Sequence, residues 1–283
     1  MKTKKIIIFF TLFFIPQLVS AGVISLTTTV SSDVIISKTG RIYVKLLNSG
    51  DEAAYDVKIS LLTESFESIP INIGKLNPNE PIEKDFEISL VRTTYPGRYA
   101  AIVLTDYADA NGYPFSSVSP TFIVYKNSTV SKVSGLIPEI SLSGKESKKL
   151  TLSIRNLDEV DHDVNIKLML PKEIKVTDGE KQISMQSKQE KSLDFEVSSL
   201  SAISGSTYVV IASTEYEDNG LHYSSFANGI IKIGTAITPQ KDEEPEQRSI
   251  YAYIVLFISI IIVLIYVYPK YIKRGKKIGN NSK

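Results

Sequence analysis

The stretch IYVKLLNSGDEAAYDVKISLL, residues 42–62, and its counterpart LTLSIRNLDEVDHDVNIKLML, residues 150–170, decide how this chain is read. In each, an apolar run ends at an asparagine, Asn48 or Asn156. A polar turn follows, and a new strand opens at Asp56-Val57 or Asp163-Val164. Val57, Ile59 and Leu61 then alternate with Lys58 and Ser60, as Val164, Ile166 and Leu168 do with Asn165 and Lys167. Alternation with a period of two places the apolar side chains on one face of a strand and the polar ones on the other.

Outward from these stretches, the same order of features occurs twice, about 108 residues apart. Asp85-Phe86-Glu87-Ile88 is answered by Asp194-Phe195-Glu196-Val197. Asp106-Tyr107-Ala108-Asp109-Ala110-Asn111-Gly112, with Ser116-Ser117 after it, is answered by Glu215-Tyr216-Glu217-Asp218-Asn219-Gly220 and Ser224-Ser225. Ordered matches at a nearly constant offset indicate tandem copies of one domain. Each copy offers roughly seven short strands parted by turn signals such as Asn77-Pro78, Pro96-Gly97 and Asn111-Gly112, the composition of a sandwich. No helical periodicity appears before residue 250. The expectation is an all-β ectodomain of two tandem immunoglobulin-like antiparallel β-sandwiches, 22–126 and 137–233, joined as a semi-rigid rod by the polar linker 127–136.

The chain ends carry different signals. Lys2, Lys4 and Lys5 precede the apolar run Ile6–Ile15, and Val19-Ser20-Ala21 offers small residues for cleavage, the three parts of a secretory leader over 1–21. Residues 250–268 hold no charge and are long enough for one transmembrane helix. Tyr251 and Tyr253 sit at one end of this segment, and Tyr266, Tyr268 and Tyr271 at the other, where interfaces favour amphipathic rings. The stalk 234–249 is acidic on its approach, while Lys270, Lys273, Arg274, Lys276 and Lys277 make a basic tail over 269–283. The positive-inside rule then places the C-terminus in the cytoplasm and the ectodomain outside, a single-pass type I arrangement in the cell membrane.

The chain has 283 residues and no cysteine, which removes disulfides, thiolate metal ligands and thiol nucleophiles. Its 32 Lys and Arg against 31 Asp and Glu conceal a separation. Nine of the cations lie in the leader and tail, and every acid lies between them, so 22–249 is acidic. That argues against nucleic acid as a partner.

LLNSGDEAAYDVKISL, with its Asn-x-Gly turn and Val-containing strand, resembles CARDB-like and related S-layer-type Ig-like domains of prokaryotic membrane-anchored surface proteins. The second copy has Asn156-Leu157-Asp158 there and lacks the glycine. The resemblance implies an extracellular sandwich used for spacing, adhesion or assembly, with no catalytic residues to carry over.

Few residues carry chemistry. Glu215, Glu217 and Asn219, followed by Gly220, have the spacing that opens a calcium loop. However, Tyr107 replaces the leading acid in the first copy, and Val118 and Phe226 stand where a closing Glu belongs. Asn-Gly between alternating strands is also a strong hairpin signal, because both residues tolerate positive φ. His162 and His222 lie beside turns and read as solvated; a relay through Ser224 would lack an oxyanion hole. Asn127-Ser128-Thr129 is an N-glycosylation acceptor pattern in the linker. The sequence therefore points to a non-catalytic surface protein presenting two modules for envelope assembly, adhesion or protein–protein interaction, with no cofactor. Its partner is an extracellular protein or envelope polymer. The alternative is an accessory subunit of a membrane complex, a transporter or envelope-processing enzyme, docked through the same sandwiches.

Overall fold

A computed structural model describes residues 22–144 and 146–234. The segments read as leader, transmembrane helix and tail, and all of the segment read as stalk beyond Gly234, lie outside them. The described residues form strands and connections with no helix.

The first copy comprises β1 (Leu26–Ser32), β2 (Thr39–Asn48), β3 (Ala54–Leu62), β4 (Phe66–Ser68), β5 (Ile71–Leu76), β6 (Ile82–Leu90), β7 (Gly97–Ala108) and β8 (Pro114–Tyr125). They pair as one sheet in the order β1-β2-β6-β4 and a second in the order β5-β3-β7-β8. The second copy comprises β9 (Val133–Leu136), β10 (Ile140–Ser143), β11 (Ser147–Asn156), β12 (His162–Met169), β13 (Ile174–Val176), β14 (Glu180–Met185), β15 (Glu190–Ser199), β16 (Thr207–Asp218) and β17 (Leu221–Gly234). Its sheets repeat the plan, β9-β11-β15-β13 against β14-β12-β16-β17, with β10 added parallel to β17. In both copies a short segment changes partner midway. β4 pairs with β6 and β5 with β3, as β13 pairs with β15 and β14 with β12.

Between the sheets of each copy lies one apolar core. Ile42, Val44, Leu46, Phe86 and Ile88 face Val57, Ile59, Tyr99, Val103 and Ile123 in the first. Leu150, Leu152, Ile154, Phe195 and Val197 face Val164, Ile166, Val210, Ala212 and Ile231 in the second. Apart from the start of β3, the long strands have their core-facing residues at alternate positions, as the quoted alternation requires.

Two differences from expectation have local causes. Val133–Leu136 falls in the segment read as linker but forms β9, because Val133 is 1% exposed and joins the core while its strand pairs with β11. The second copy thus begins nearer residue 133 than 137. The repeat offset also slips by one residue between Asn48 and Val57. The structure takes up the extra residue as a bulge in β3 at Tyr55-Asp56, where the register shifts and Asp56 adopts φ 50°. Without that bulge, Val57 and Ile59 would turn to solvent.

The two asparagines that end the quoted strands are fully buried, with 0% exposure each. Asn48 Nδ2 donates to the carbonyls of Glu52 (2.7 Å) and Leu76 (3.4 Å), while its Oδ1 accepts from the N–H groups of Ser25 (3.3 Å) and Gly50 (3.0 Å). Asn156 Nδ2 donates to Val160 (2.8 Å) and Gln186 (3.0 Å), and its Oδ1 accepts from Asp158 N–H (2.9 Å). Each amide ties the β2–β3 or β11–β12 turn to the end of β5 or β14 on the opposing sheet. We expect Asn48→Ala to destabilise the fold by about 1–3 kcal/mol, the cost of buried polar groups left unpaired. Asn48→Asp, which cannot donate to the two carbonyls, should be no milder in urea unfolding.

Candidate functional site

The two sandwiches do not stand end to end as a rod. Their outer faces pack side by side around a third apolar cluster of Ile102, Leu104 and Val118 from the first copy and Ile211 from the second, with Met169 and Phe226 against it. Ile102 and Ile211 are both 0% exposed. Tyr99, Ala101 and Val103 of β7 face their own core, so Ala100, Ile102 and Leu104 on the alternate positions face the neighbour. The sequence signal for this was present. Ala100–Leu104 and Val210–Ala212 are unbroken apolar runs, and a strand buried on both faces shows no alternation.

Polar contacts flank the apolar seam. At one end β7 and β17 run parallel and bridge once, Gly97 to His222, with the His222 N–H donating to the Pro96 carbonyl at 2.9 Å. Gly97 has to be glycine here, since a Cβ would overlap the His222 carbonyl. Thr129 Oγ1 donates to that same carbonyl (2.5 Å) and accepts from Arg98 N–H (3.0 Å), and Ser224 Oγ donates to the Arg98 carbonyl (2.7 Å). The Arg98 guanidinium lies 3.5 Å from the centre of the Phe122 ring, which in turn contacts Phe226. Towards the other end, Glu173, 3% exposed, accepts from both the N–H and the hydroxyl of Ser116, and Lys172 Nζ meets Asp106 Oδ2 at 2.6 Å.

An open cleft of about 730 Å³ lies beside the seam. Its walls are polar: Thr63–Ser65 and Arg92 from the first copy, and the outward side chains of β12, β14 and β16 from the second. Lys167 bridges it, pairing with Glu64 across the copies (3.1 Å) and with Glu180 (2.6 Å). His222 and Tyr99 close one wall as parallel rings 3.9 Å apart. Burial pushes the Tyr99 phenol up to about 12, and the nearby Glu217 and Glu215 add to this against the hydrogen bond from Thr94. The phenol therefore stays neutral and donates to the Tyr95 carbonyl at 2.6 Å.

The residues singled out in the sequence are placed as follows. Asn219 and Gly220, at φ 49° and 72°, form the two-residue turn between Asp218 and Leu221, so the hairpin reading describes this segment. In the first copy the turn is longer, and Asp109 Oδ1 accepts from the N–H groups of Asn111 and Tyr113, which hold its carboxyl below the usual range. Glu215, Glu217 and Asn219 do not converge as a ligand set. Glu215 accepts from His222 (2.8 Å), Glu217 is half exposed, and Asn219 donates to Asp218. Both histidines, expected as solvated, are buried, at 4% for His162 and 8% for His222. His162 packs on Tyr216 and meets Asp158, whose carboxyl is held at about 2 chiefly by Lys132. Ser224 serves the seam, as described, and is not aligned as a nucleophile. Asn127 is exposed, but the Thr129 of its acceptor triplet is the buried residue that bonds His222 and Arg98.

No family model matches this sequence, CARDB included, and no curated protein matches it either. Among solved structures, Salmonella alpha-2-macroglobulin is similar over 75% of this chain at 12% identity and a TM-score of 0.33, and this chain spans 16% of its length. A Porphyromonas gingivalis protein of unknown function is similar over 73% of this chain and 99% of its own, at 10% identity and a TM-score of 0.32. The ASH / PapD-like domain of human CEP192 covers 38% of this chain at 10% identity and a TM-score of 0.28. At such scores none of these likenesses bears on what this chain does.

Gly97→Ala should part the sandwiches at the seam while leaving each folded. The expected signature is a larger radius of gyration in small-angle scattering with an unchanged β circular-dichroism spectrum. Thr129→Val, which leaves the Arg98 N–H and the His222 carbonyl without their partner, should lower stability by about 1–3 kcal/mol in urea titrations.

Proposed function

We propose that the chain is a non-catalytic, membrane-anchored surface protein whose two immunoglobulin-like sandwiches act together as one extracellular binding unit. The observation that carries this reading is the seam. Two modules used only as spacers would gain reach from end-to-end stacking, whereas packing them face to face sacrifices reach and creates a polar cleft between them. The anchoring half of the reading rests on the leader and the apolar, basic-flanked segment 250–268. A CARDB-like or S-layer-type kinship stays a sequence resemblance within this proposal.

Side-by-side packing also favours the form in which the protein is an accessory subunit of a membrane complex. A polar cleft between two modules offers a surface to which the outer loops of an integral partner could bind. An envelope polymer is the other candidate for the same cleft. The test is recovery of the full-length protein in mild detergent, with bound material identified by mass spectrometry. A stoichiometric membrane partner that is lost on Gln182→Glu or on Asn165→Lys, each at an exposed position of the cleft wall, would support cleft-mediated docking. Recovery of the protein alone, or of a partner indifferent to these changes, would remove the cleft from the function.

A further inference from the structure

We propose that the cleft takes a basic segment of a protein partner, with a lysine or arginine side chain seated against Glu215 and Glu217. The inference rests on the reading of the cleft as a binding site and adds the chemistry of its ligand. The two copies meet through corresponding faces. Ile102 is the counterpart of Ile211 and Val118 of Phe226, and all four lie in the seam cluster. The seam therefore has two corresponding ends. Lys172-Glu173, before β13, is the counterpart of Glu64-Ser65, before β4: Leu200 N–H donates to the Glu173 carbonyl (2.8 Å) as Val91 N–H does to that of Ser65 (3.0 Å). Asp106 and Ser116 likewise correspond to Glu215 and Ser224.

One end is filled. Lys172 of the second copy seats its ammonium on Asp106 of the first at 2.6 Å, and Glu173 takes both donors of Ser116. At the other end the same exchange would bring Glu64 to Glu215, an anion to an anion. Glu64 turns instead to Lys167 (3.1 Å) and Arg92 (4.0 Å), and the cleft stands where the cation belongs. Lys181, also on the wall, donates to the Asp194 carbonyl (2.9 Å). Glu215 and Glu217 on β16 and Asp163 on β12 line the cleft, and among the described residues none of the three pairs with a lysine or arginine. Like charges gathered on one sheet face repel, and a cation between them relieves this. A second sign does not depend on charge. His222, 8% exposed, meets Glu215 through Nε2 (2.8 Å), while its Nδ1 is buried with no hydrogen-bond partner. Glu217 Oε1, 3.9 Å from that nitrogen, has no hydrogen to give it. An N–H donor is what this wall lacks, and an ammonium or guanidinium beside Glu217 carries several. The corresponding end is filled by a lysine on a strand connection, so the complement of the open end is a basic side chain on a segment of another chain.

The experiment is fluorescence polarisation of two short peptides with an uncharged label, one carrying two lysines and the other two glutamates, against the full-length protein in neutral detergent micelles. Saturable binding of the lysine peptide alone is expected. Glu217→Lys alters a half-exposed side chain and supplies from within the cation that Lys172 supplies at the other end. It should melt within a few degrees of the native protein yet bind the lysine peptide at least about tenfold more weakly, the loss of one charge-assisted contact. Glu146→Lys makes the same change of charge at an exposed position outside the cleft and should leave binding within about twofold, as expected of a distant, screened charge. Absence of saturable binding by the lysine peptide overturns the inference, as do equal losses in the two variants, which would reduce the effect to net charge. Equal or tighter binding of the glutamate peptide also overturns it and assigns the cleft to an acidic ligand. A membrane partner that is lost on Gln182→Glu but retained on Glu217→Lys overturns the basic ligand while leaving the cleft in use.

Discussion

A β-sandwich must turn its chain from one sheet to the other inside a dry interior, and the carbonyls stranded at that crossing have to be paired. In this protein one carboxamide per copy does so. Asn48 and Asn156 lie with no exposure at the points where the first inner strand ends, and their amides reach both the following turn and the end of the opposing sheet. The chain has no disulfide to perform this task, since it has no cysteine. A side chain that both donates and accepts is the remaining way to fasten the two layers at that corner.

The second constraint is the seam between the copies. Its apolar part is small, but Ile102 and Ile211 are as deeply buried as any core residue, and Ser116, Ser224 and Lys172 each make a polar contact across it. The close approach at Gly97 allows two sheets of different modules to meet through one bridge, and Thr129 fastens the connection between them to the same spot. The cleft is a by-product of that geometry: two twisted sheet faces meeting along a line diverge to either side of it. The charged groups that line the cleft would be ordinary surface residues on either module alone.

Much of the strand pattern was legible from alternation, because each sandwich has one dry face and one wet face per sheet. The two asparagines were visible as punctuation, though their burial was not, since a polar letter at a strand end looks the same solvated or sealed. The seam was misread for a physical reason. The middle stretches of β7 and β16 are dry on both faces, so their alternation disappears there, and Ala100–Leu104 passes for an ordinary strand interior. His222 was likewise read from its neighbour, the Asn-Gly turn, which is exposed, whereas the ring is covered by Tyr99 from the other copy. A contact made by a residue more than a hundred positions away leaves no local trace. Val133 was hidden by its polar flanks in the same way, in a segment too short to show a period.

β17 is the last described strand, and its final residues are held on both sides, antiparallel by β16 and parallel by β10. A pull on the chain at Gly234 therefore enters along the strand axis rather than across it. To yield, the strand would have to slide past two neighbours at once, breaking its ladder bonds together in shear instead of one after another as in a peeled zipper. The long β16–β17 ladder, from Thr207↔Lys232 to Asp218↔Leu221, lies in line with that load. The sandwich is built to take tension at the end where its chain leaves it.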